Sequence, residues 1–305
     1  MDDGASRQPP EATALDISGL KALSRRSDAK GSIQLATHLG LLSLTGALVL
    51  WSRSSPWLAP ALLGHGIVLI FLFAPLHECI HRTAFRSRRL NDAVALVCGA
   101  LLLLPAEYFR AFHLRHHRFT QDRQRDPELS GRPLRNHRDY LLHVSGLPYW
   151  RERLFTTCRH ALGRVTEDFL PERHRAAIRR EARGHLAVYA LLAAGSLAVG
   201  SSLLLWLWVV PALLGQPALR LFLLAEHTGC PQVDDMLANS RTTVTNRVVE
   251  KLCWHMNRHT AHHAYPALPF HALARADRQL APHIKVRTSG YRRVQSEIWR
   301  RLAAA

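Results

Sequence analysis

Two apolar stretches, separated by a short polar break, dominate the first quarter of the chain. Residues 33–51 and 57–76 contain no Lys, Arg, Asp or Glu. A helix needs about 20 predominantly apolar residues to cross a hydrocarbon core of ~30 Å. Ser and Pro in residues 52–56 are typical of a turn. The pattern therefore predicts a hairpin of two membrane-spanning helices that returns the chain to its starting side.

A longer apolar region lies near residue 200. Residues 184–225 are apolar over most of their length, and the Gly-Ser-Ser sequence of residues 200–202 interrupts them. Gly and Ser are typical of a turn, and Trp206 and Trp208 suit a membrane interface. We therefore expect a second hairpin of two spans. The predicted fold is an all-α membrane protein with four transmembrane helices in two hairpins.

The regions outside these runs define the expected domain organisation. Residues 1–31, which include Pro9 and Pro10, are predicted to be a flexible cytosolic N-terminal tail, and residues 32–305 a single integral membrane domain. Residues 118–184 are polar and Arg-rich, so we expect them to form helices of a cytosolic cap near the lipid surface. The five Cys residues form no CxxC motif, and their spacing suggests no disulfide framework.

The charge of the chain favours a lipid partner. There are 40 Lys and Arg residues against 23 Asp and Glu, a formal charge of +17. Nucleic acid is a common partner of so basic a chain, but no nucleic-acid-binding motif is present, and basic loops beside apolar runs fit anionic lipid. Residues 52–56 carry one Arg, and residues 200–205 carry no charge. The positive-inside rule therefore predicts a multi-pass protein, of a bacterial inner membrane, with the remaining loops in the cytoplasm.

Histidine recurs in three clusters with helical spacing. The sequences are HECIH at residues 77–81, HLRHH at 113–117 and HTAHH at 259–263. Residues at i, i+3 and i+4 share one face of a helix, and His227 directly follows the last apolar run. These clusters predict a metal site. Its candidate ligands are His77, His81, His113, His116, His117, His227, His259, His262 and His263.

A shared site restricts the path of the third apolar run, residues 91–109. If this run crossed the bilayer once, His113 would lie on the opposite side from His81. Too few residues separate the two histidines for an out-and-back pair of ~20-residue helices. Pro105 breaks a helix, and Tyr108 favours the interface. We therefore expect this run to be interfacial or re-entrant.

The number of imidazoles favours iron. Zinc prefers about four ligands and iron up to about six, so nine histidines are too many for one ion. Two six-coordinate irons would leave a few positions open for O₂, water or a bridging group. Neutral imidazoles suit iron, and an open site beside lipid points to oxidation of C–H bonds in an acyl chain. No catalytic residues beyond the ligands are predicted.

The three boxes and two hairpins resemble the membrane fatty acid desaturase family and its relatives, the alkane hydroxylases and carotenoid oxygenases. The similarity runs from about Trp57 to His271 and includes the Asp126-Pro127 pair after the second box. The resemblance implies a di-iron centre in the cap, O₂ as co-substrate, and electrons from a ferredoxin or a cytochrome b5-like donor. The expected substrate is an acyl lipid or an acyl thioester.

Two positions depart from the acyl desaturase pattern. Many such enzymes carry Asn four residues before the third box and an acidic residue before its final His pair; here these positions hold His255 and Ala261. These two departures count against acyl desaturation specifically more than against di-iron oxidation in general. Ligating histidines usually donate their second N–H to a carboxylate or carbonyl. The candidate outer partners are Glu78, Asp126, Glu226, His255 and Asn257.

These observations predict O₂-dependent desaturation of a fatty acyl chain at a histidine-ligated di-iron centre. One alternative is a hydroxylase or ketolase on the same scaffold that acts on an alkane, a lipid acyl chain or a carotenoid. The other is a non-catalytic basic membrane protein whose histidines bind a metal or lipid headgroups.

Overall fold

The computed structural model describes residues 17–303, and most of them are helical. In chain order the helices are α1 (Ile17–Leu23), α2 (Asp28–Trp51), α3 (Leu58–Ile70), α4 (Phe73–Ile80), α5 (Arg88–Leu101), α6 (Ala106–Phe119), α7 (His137–Val144), α8 (Leu147–Ala161), α9 (Glu172–Ala198), α10 (Val210–His227), α11 (Arg247–Leu252), α12 (His259–Ala264), α13 (Phe270–Leu280) and α14 (Tyr291–Ala303). A 3₁₀-helix, Pro127–Ser130, follows α6, and a π-helix, Leu205–Val209, leads into α10.

Two three-residue strands, which the sequence did not predict, accompany the helices. Strand β1 (Thr242–Val244) pairs in parallel with β2 (Arg287–Ser289), with Thr242 opposite Arg287. Asn257 lies beside this pair, because its backbone carbonyl accepts from the Thr243 N–H at 2.9 Å. The strands therefore tie the segment before α12 to the segment before α14.

The first predicted hairpin corresponds to α2 and to the run of α3 and α4. By length and composition, three described helical segments could cross a membrane: Asp28–Trp51, Leu58–Ile80 and Leu205–His227. A fourth crossing arises only if the bent pair α5 and α6 counts as one span. The protein is thus mostly helical with three or four candidate spans, and its predicted division into two hairpins stays a prediction.

Helix α9 differs from the span expected at residues 184–200. It begins at Glu172, and its first half carries charged residues such as Glu181 and Arg183. Only the stretch from Leu186 to Ala198 is apolar, which is shorter than the ~20 residues that a crossing requires. The predicted turn is present, with Gly200 at φ +63°. The second hairpin therefore has one candidate span, α10 with the π-helix before it.

Helices α3 and α10 cross with their backbones in close contact. A Cβ atom on Gly66 would lie 2.2 Å from the Pro211 carbonyl oxygen, and one on Gly215 would lie 2.1 Å from the Gly66 carbonyl oxygen. Only glycine permits so close an approach of two backbones. His65 Nε2 bonds the Leu207 carbonyl before this crossing, and the Phe71 ring lies 5.3 Å from the Phe222 ring after it, so the two helices run in the same direction. Their C-terminal ends, which carry His77 and His227, therefore lie at the same end of the bundle.

A bend of 101° separates α5 from α6. Backbone carbonyls at the end of α5 have no partner within the helix, and such groups must be satisfied in a non-aqueous setting. Side chains from three other elements satisfy them. The bonds run from the Tyr189 hydroxyl to the Ala100 oxygen (2.6 Å), from Trp208 Nε1 to the Leu101 oxygen (2.8 Å) and from the Tyr149 hydroxyl to the Leu102 oxygen (3.2 Å).

The start of α6 is capped by a side chain from another helix. Its N-cap residue, Pro105, provides no side-chain acceptor. Instead Glu181 of α9 accepts from the Ala106 N–H at 2.7 Å and from the Glu107 N–H at 2.8 Å, one through each carboxylate oxygen. A carboxylate at a helix N-terminus satisfies free N–H groups and complements the helix dipole. Helix α9 thus fixes where α6 begins.

Part of the segment predicted to be an N-terminal tail is helical. Residues 1–16 of the expected tail lie outside the described part, but α1 covers residues 17–23 and α2 begins at Asp28 rather than near residue 32. Leu23 is buried against Ala272 and Leu273 of α13. This apolar contact holds α1 against α13, since burying a leucine side chain stabilises the folded state by about 1.5–3 kcal/mol.

Candidate metal centre

The first two histidines lie at the end of a candidate span. His77 belongs to the last turn of α4, and His81 is the C-cap residue of the same helix. The ring centroids of the two are 4.9 Å apart, as expected for positions i and i+4 on one face. The chain then leaves the helix through Arg82, which has φ +58°. The helix end therefore presents both rings to one side.

The second box lies on α6, just after the bend. His113, His116 and His117 are all buried on this helix. The His81 and His113 rings are 5.0 Å apart, so the bend brings both to one side of the protein. That proximity agrees with the requirement that residues 91–109 do not cross the bilayer once.

The third box occupies the short helix α12, where all three histidines are buried. Ion pairs fix the residue before it: Arg258 contacts Glu250 at 2.7 Å and Asp277 at 2.6 Å. Two consecutive residues upstream, Trp254 and His255, have positive φ values of 51° and 62°. Such conformations cost free energy in non-glycine residues, and the complete burial of Trp254 helps to hold this loop.

The nine predicted ligands form two adjoining groups. The five-histidine group consists of His77, His81, His113, His117 and His262, and the four-histidine group consists of His116, His227, His259 and His263. Within each group, one ring nitrogen of every member lies within 4.8 Å of the others. Across the border, the rings of His117 and His263 stack with centroids 4.1 Å apart. Helices α6 and α12 each contribute to both groups.

The ring nitrogens in each group converge, as a metal site requires. In the five-histidine group the Nε2 atoms of His77 and His113 are 2.7 Å apart, and those of His117 and His262 are 3.0 Å apart. In the other group the Nε2 atoms of His227 and His259 are 2.9 Å apart. Neutral imidazoles each offer one lone pair, and lone pairs that face each other can share a cation. The residues present therefore fit a metal ion in each group.

Burial favours the neutral form of the three rings in the third box. Burial first, and then the neighbouring imidazoles, hold the pKa of His262 and of His263 well below its ordinary value. His259 has a similarly lowered pKa for the same two reasons. Neutral imidazole is the form that binds a metal. Near pH 7 the third box is therefore ready to coordinate an ion without first losing protons.

The outer nitrogens of the four-histidine group contact oxygen atoms. His116 Nδ1 lies 3.0 Å from Asp126 Oδ1, and His259 Nδ1 lies 3.3 Å from Glu226 Oε1. Asp126 and Glu226 were both predicted from sequence as outer partners. Such contacts orient the ring and raise its basicity as a ligand.

Three other predicted outer partners have different contacts. Glu78 accepts from the Thr83 hydroxyl and from the Phe270 N–H, so it joins α4 to α13. His255 approaches Glu250 at 3.5 Å, and Asn257 donates to the Thr243 carbonyl at 3.0 Å. These contacts hold the segments around the boxes. These three side chains lie near predicted ligands in sequence, but that position did not predict which atoms they contact.

Sequence reasoning did not identify two further partners of the four-histidine group. The Thr120 hydroxyl lies 3.2 Å from His263 Nδ1, and the Asn239 carbonyl accepts from His227 Nδ1 at 3.0 Å. Thr120 stands one helical turn after His116 and could have been considered for that reason. The Asn239 contact uses a backbone oxygen, which every residue has, so no sequence signal could have indicated it.

Comparison with known proteins agrees with the histidine pattern. The sequence model of the family described as fatty acid desaturase matches residues 54–294, which include all nine histidines. The Delta(12) acyl-lipid conjugase (11E,13E-forming) of Momordica charantia is 23% identical over 233 residues, or 67% of this chain. The match spans 58% of that relative's length. Since the family match covers most of the sequence, this chain belongs to the fatty acid desaturase family.

Proposed function

We propose that this protein holds two iron ions and uses O₂ to desaturate a fatty acyl chain. The observation that carries the proposal is the pair of adjoining groups of mostly buried histidines in a member of the fatty acid desaturase family. Five imidazoles would hold one ion and four the other, so both leave coordination positions free on six-coordinate iron. The bound irons would supply O₂ activation and the removal of hydrogen from an unactivated C–H bond.

The side chains around the site have separate tasks in this proposal. Helices α4, α6, α10 and α12 hold the nine ligands. Asp126 and Glu226 orient His116 and His259 through their outer nitrogens. Phe73 and Phe109 pack against each other and beside His77 and His113, so they cover one side of the five-histidine group with apolar surface. An acyl chain would approach against such a surface, and water would be excluded from it.

The overall reaction requires an external electron donor. Desaturation removes two hydrogen atoms from the acyl chain, and two further electrons and two protons complete the reduction of O₂ to two molecules of water. The sequence has no haem, flavin or iron–sulfur motif. We therefore propose a ferredoxin or a cytochrome b5-like protein as the donor. The substrate is an acyl lipid or an acyl thioester, and the name of the Momordica relative supports an acyl lipid.

A hydroxylase or ketolase is the second candidate. The observation that favours it is the third box, where His255 and Ala261 stand in place of the residues common in acyl desaturases. Hydroxylation consumes the same O₂, electrons and protons but inserts one oxygen atom and releases one water. The substrate would be an alkane, a lipid acyl chain or a carotenoid.

Topology belongs to the same proposal. We expect the histidine groups to lie at the cytoplasmic face of a bacterial inner membrane, because the basic loops lie on that side by the positive-inside rule. A reporter fused after Ala303 should then be active only in the cytoplasm. A periplasmic signal would overturn this orientation.

Expression in a host, followed by metal analysis and lipid profiling, tests the function. The expected result is two irons per chain and lipids with two hydrogen atoms fewer than in cells that express His259→Ala. Lipids or carotenoids with one additional oxygen atom would favour the hydroxylase or ketolase. One zinc per chain, or none of any metal, with unchanged lipids would exclude both enzymes.

A further inference from the structure

The helices α7 and α8 expose a series of large apolar side chains. In α8 and just beyond it, Leu147 is 63% exposed, Leu154 50%, Phe155 64% and Leu162 77%. In α7, Leu141 is 57% exposed. Scattered exposed leucines are normal in water-soluble proteins, but a continuous apolar surface marks contact with another apolar phase or partner.

Helix α8 is polar on its inner face. Its buried residues are Arg153, Thr157 and His160. These have partners: Arg153 contacts Glu152, and His160 contacts Glu167 at 2.8 Å. A helix on the surface of a water-soluble protein has the opposite arrangement, with apolar residues inside and charged residues outside. The reversed arrangement indicates that the outer face of α8 meets lipid.

The hairpin of α7 and α8 adjoins the candidate spans. A Cβ atom on Gly146, between the two helices, would lie 2.3 Å from Gln216 of α10. The Tyr149 ring lies 4.4 Å from the Arg220 guanidinium carbon. At the same level, α10 exposes Leu213 and Leu214 at 46% and 42%. The hairpin therefore packs beside a part of α10 that also exposes apolar side chains.

Length and charge place α8 in the plane of the membrane. Its 15 residues give a helix of about 22 Å, which is shorter than a ~30 Å hydrocarbon core. Three exposed arginines on the hairpin and the loop after it, Arg138, Arg151 and Arg164, outnumber the two exposed carboxylates, Glu152 and Asp168. The Arg151 guanidinium lies 5.2 Å from the Phe155 ring, so one side chain can reach headgroups while the other enters the acyl region.

We propose that the hairpin of α7 and α8 is a membrane-interface anchor that binds anionic phospholipid. The apolar face of α8 enters the acyl region of one leaflet, and the arginines contact phosphate groups. The anchor also contacts the segment that leads into α6, because the Tyr149 hydroxyl bonds the Leu102 carbonyl in the bend before that helix. The lipid surface thus supports the helix that carries the second histidine box.

Photo-crosslinking in vesicles tests the anchor. A benzophenone amino acid replaces Leu154 or Phe155 in the full chain, which is reconstituted into vesicles of phosphatidylcholine with or without phosphatidylglycerol. The control replaces Val248 of α11, which is apolar and 75% exposed. Irradiation should give covalent phospholipid adducts at positions 154 and 155 at least tenfold above position 248. Adduct yields equal to the control, or crosslinks to a second copy of the chain, would overturn the proposal.

A second arm addresses the choice of lipid. In mixed vesicles the adducts at position 155 should contain more phosphatidylglycerol than its share of the bilayer, and Arg151→Gln should reduce this excess. Adducts that follow the bulk composition in both variants would contradict the role of the arginines. Neither experiment needs bound iron or turnover. The anchor proposal can therefore be rejected while the proposed oxidation stands, and the oxidation can be rejected while the anchor stands.

Discussion

The two histidine groups are built from the same residue type but differ in what lies behind the rings. In the four-histidine group, the Nδ1 atoms of His116, His227 and His263 have hydrogen-bond partners, and His259 Nδ1 lies 3.3 Å from Glu226 Oε1 without a hydrogen bond. In the five-histidine group, four buried Nδ1 atoms have no hydrogen-bond partner among the described residues; they belong to His77, His113, His117 and His262.

This difference predicts unequal metal sites. Carboxylate and carbonyl oxygens behind a ligand fix the ring and increase electron donation to the ion. The four-histidine group has fewer ligands but better oriented ones. The five-histidine group depends on the number of its ligands and on tight packing. Removing a ligand should therefore harm the smaller group more, and changes in the outer contacts should affect that group alone.

Removal of one ligand from each group should have the largest effect. His259→Ala leaves three imidazoles in its group, whereas His262→Ala leaves four in the other, and four ligands are enough for many metal sites. We expect His259→Ala to bind about one iron per chain, and His262→Ala to keep the second ion with reduced affinity. Metal analysis with Mössbauer spectroscopy measures both. Equal loss in the two variants would show that the groups do not bind separately.

Asp126→Asn should produce the next largest effect. It keeps the shape of the side chain but removes the carboxylate behind His116, and loss of such a partner costs about 10–100-fold in metal affinity. Glu78→Gln is the matched control, since Glu78 is as buried but bonds Thr83 and Phe270 instead. Its iron affinity should stay within about threefold of the unmodified protein. If Glu78→Gln lost more iron affinity than Asp126→Asn, then Glu78 rather than Asp126 would be the carboxylate that supports iron binding.

The sequence indicated which histidines lie together better than it indicated the contacts around them, and the reason is physical. Histidines at positions i, i+3 and i+4 share one helix face, so the spacing of residues 113–117 and 259–263 alone predicts that their rings converge. The outer contacts depend on tertiary structure: Glu78 stands beside His77 in sequence, yet its carboxylate points to α13. Asp126 does contact His116, a residue near it in sequence, because only a short turn separates it from α6.

The fold shows the same limit. Long uncharged runs predicted α2 and the run of α3 and α4, because crossing a membrane restricts composition strongly. The path of α5 and α6 followed from the need to bring His81 and His113 together. The sequence did not predict the extent of α9, because the charged first half of this helix is stabilised by partners elsewhere, such as the N–H groups that Glu181 caps. No local pattern encodes that contact.

Glu181 offers a way to disturb both groups together. Glu181→Ala removes the cap of α6, and loss of a helix cap costs about 0.5–2 kcal/mol. We expect faster amide exchange at Ala106 and Glu107. Since α6 carries histidines of both groups, the two sites should lose iron to a similar extent, and less than in Asp126→Asn. Glu172→Ala, at the exposed start of the same helix, should leave both unchanged. A loss confined to one group would show that α6 does not move as a unit.

The smallest effect should come from Thr120, whose hydroxyl contacts His263 Nδ1 and also donates to the His116 carbonyl. Thr120→Val keeps the volume of the side chain and removes neutral hydrogen bonds worth about 0.5–1.5 kcal/mol each. Iron affinity at the four-histidine group should fall by no more than about tenfold, because no charge is lost. Thr83→Val, which removes a bond to Glu78 rather than to a ligand, should leave that affinity unchanged. If Thr120→Val weakened iron binding as strongly as Asp126→Asn, ring orientation rather than carboxylate charge would distinguish the two groups.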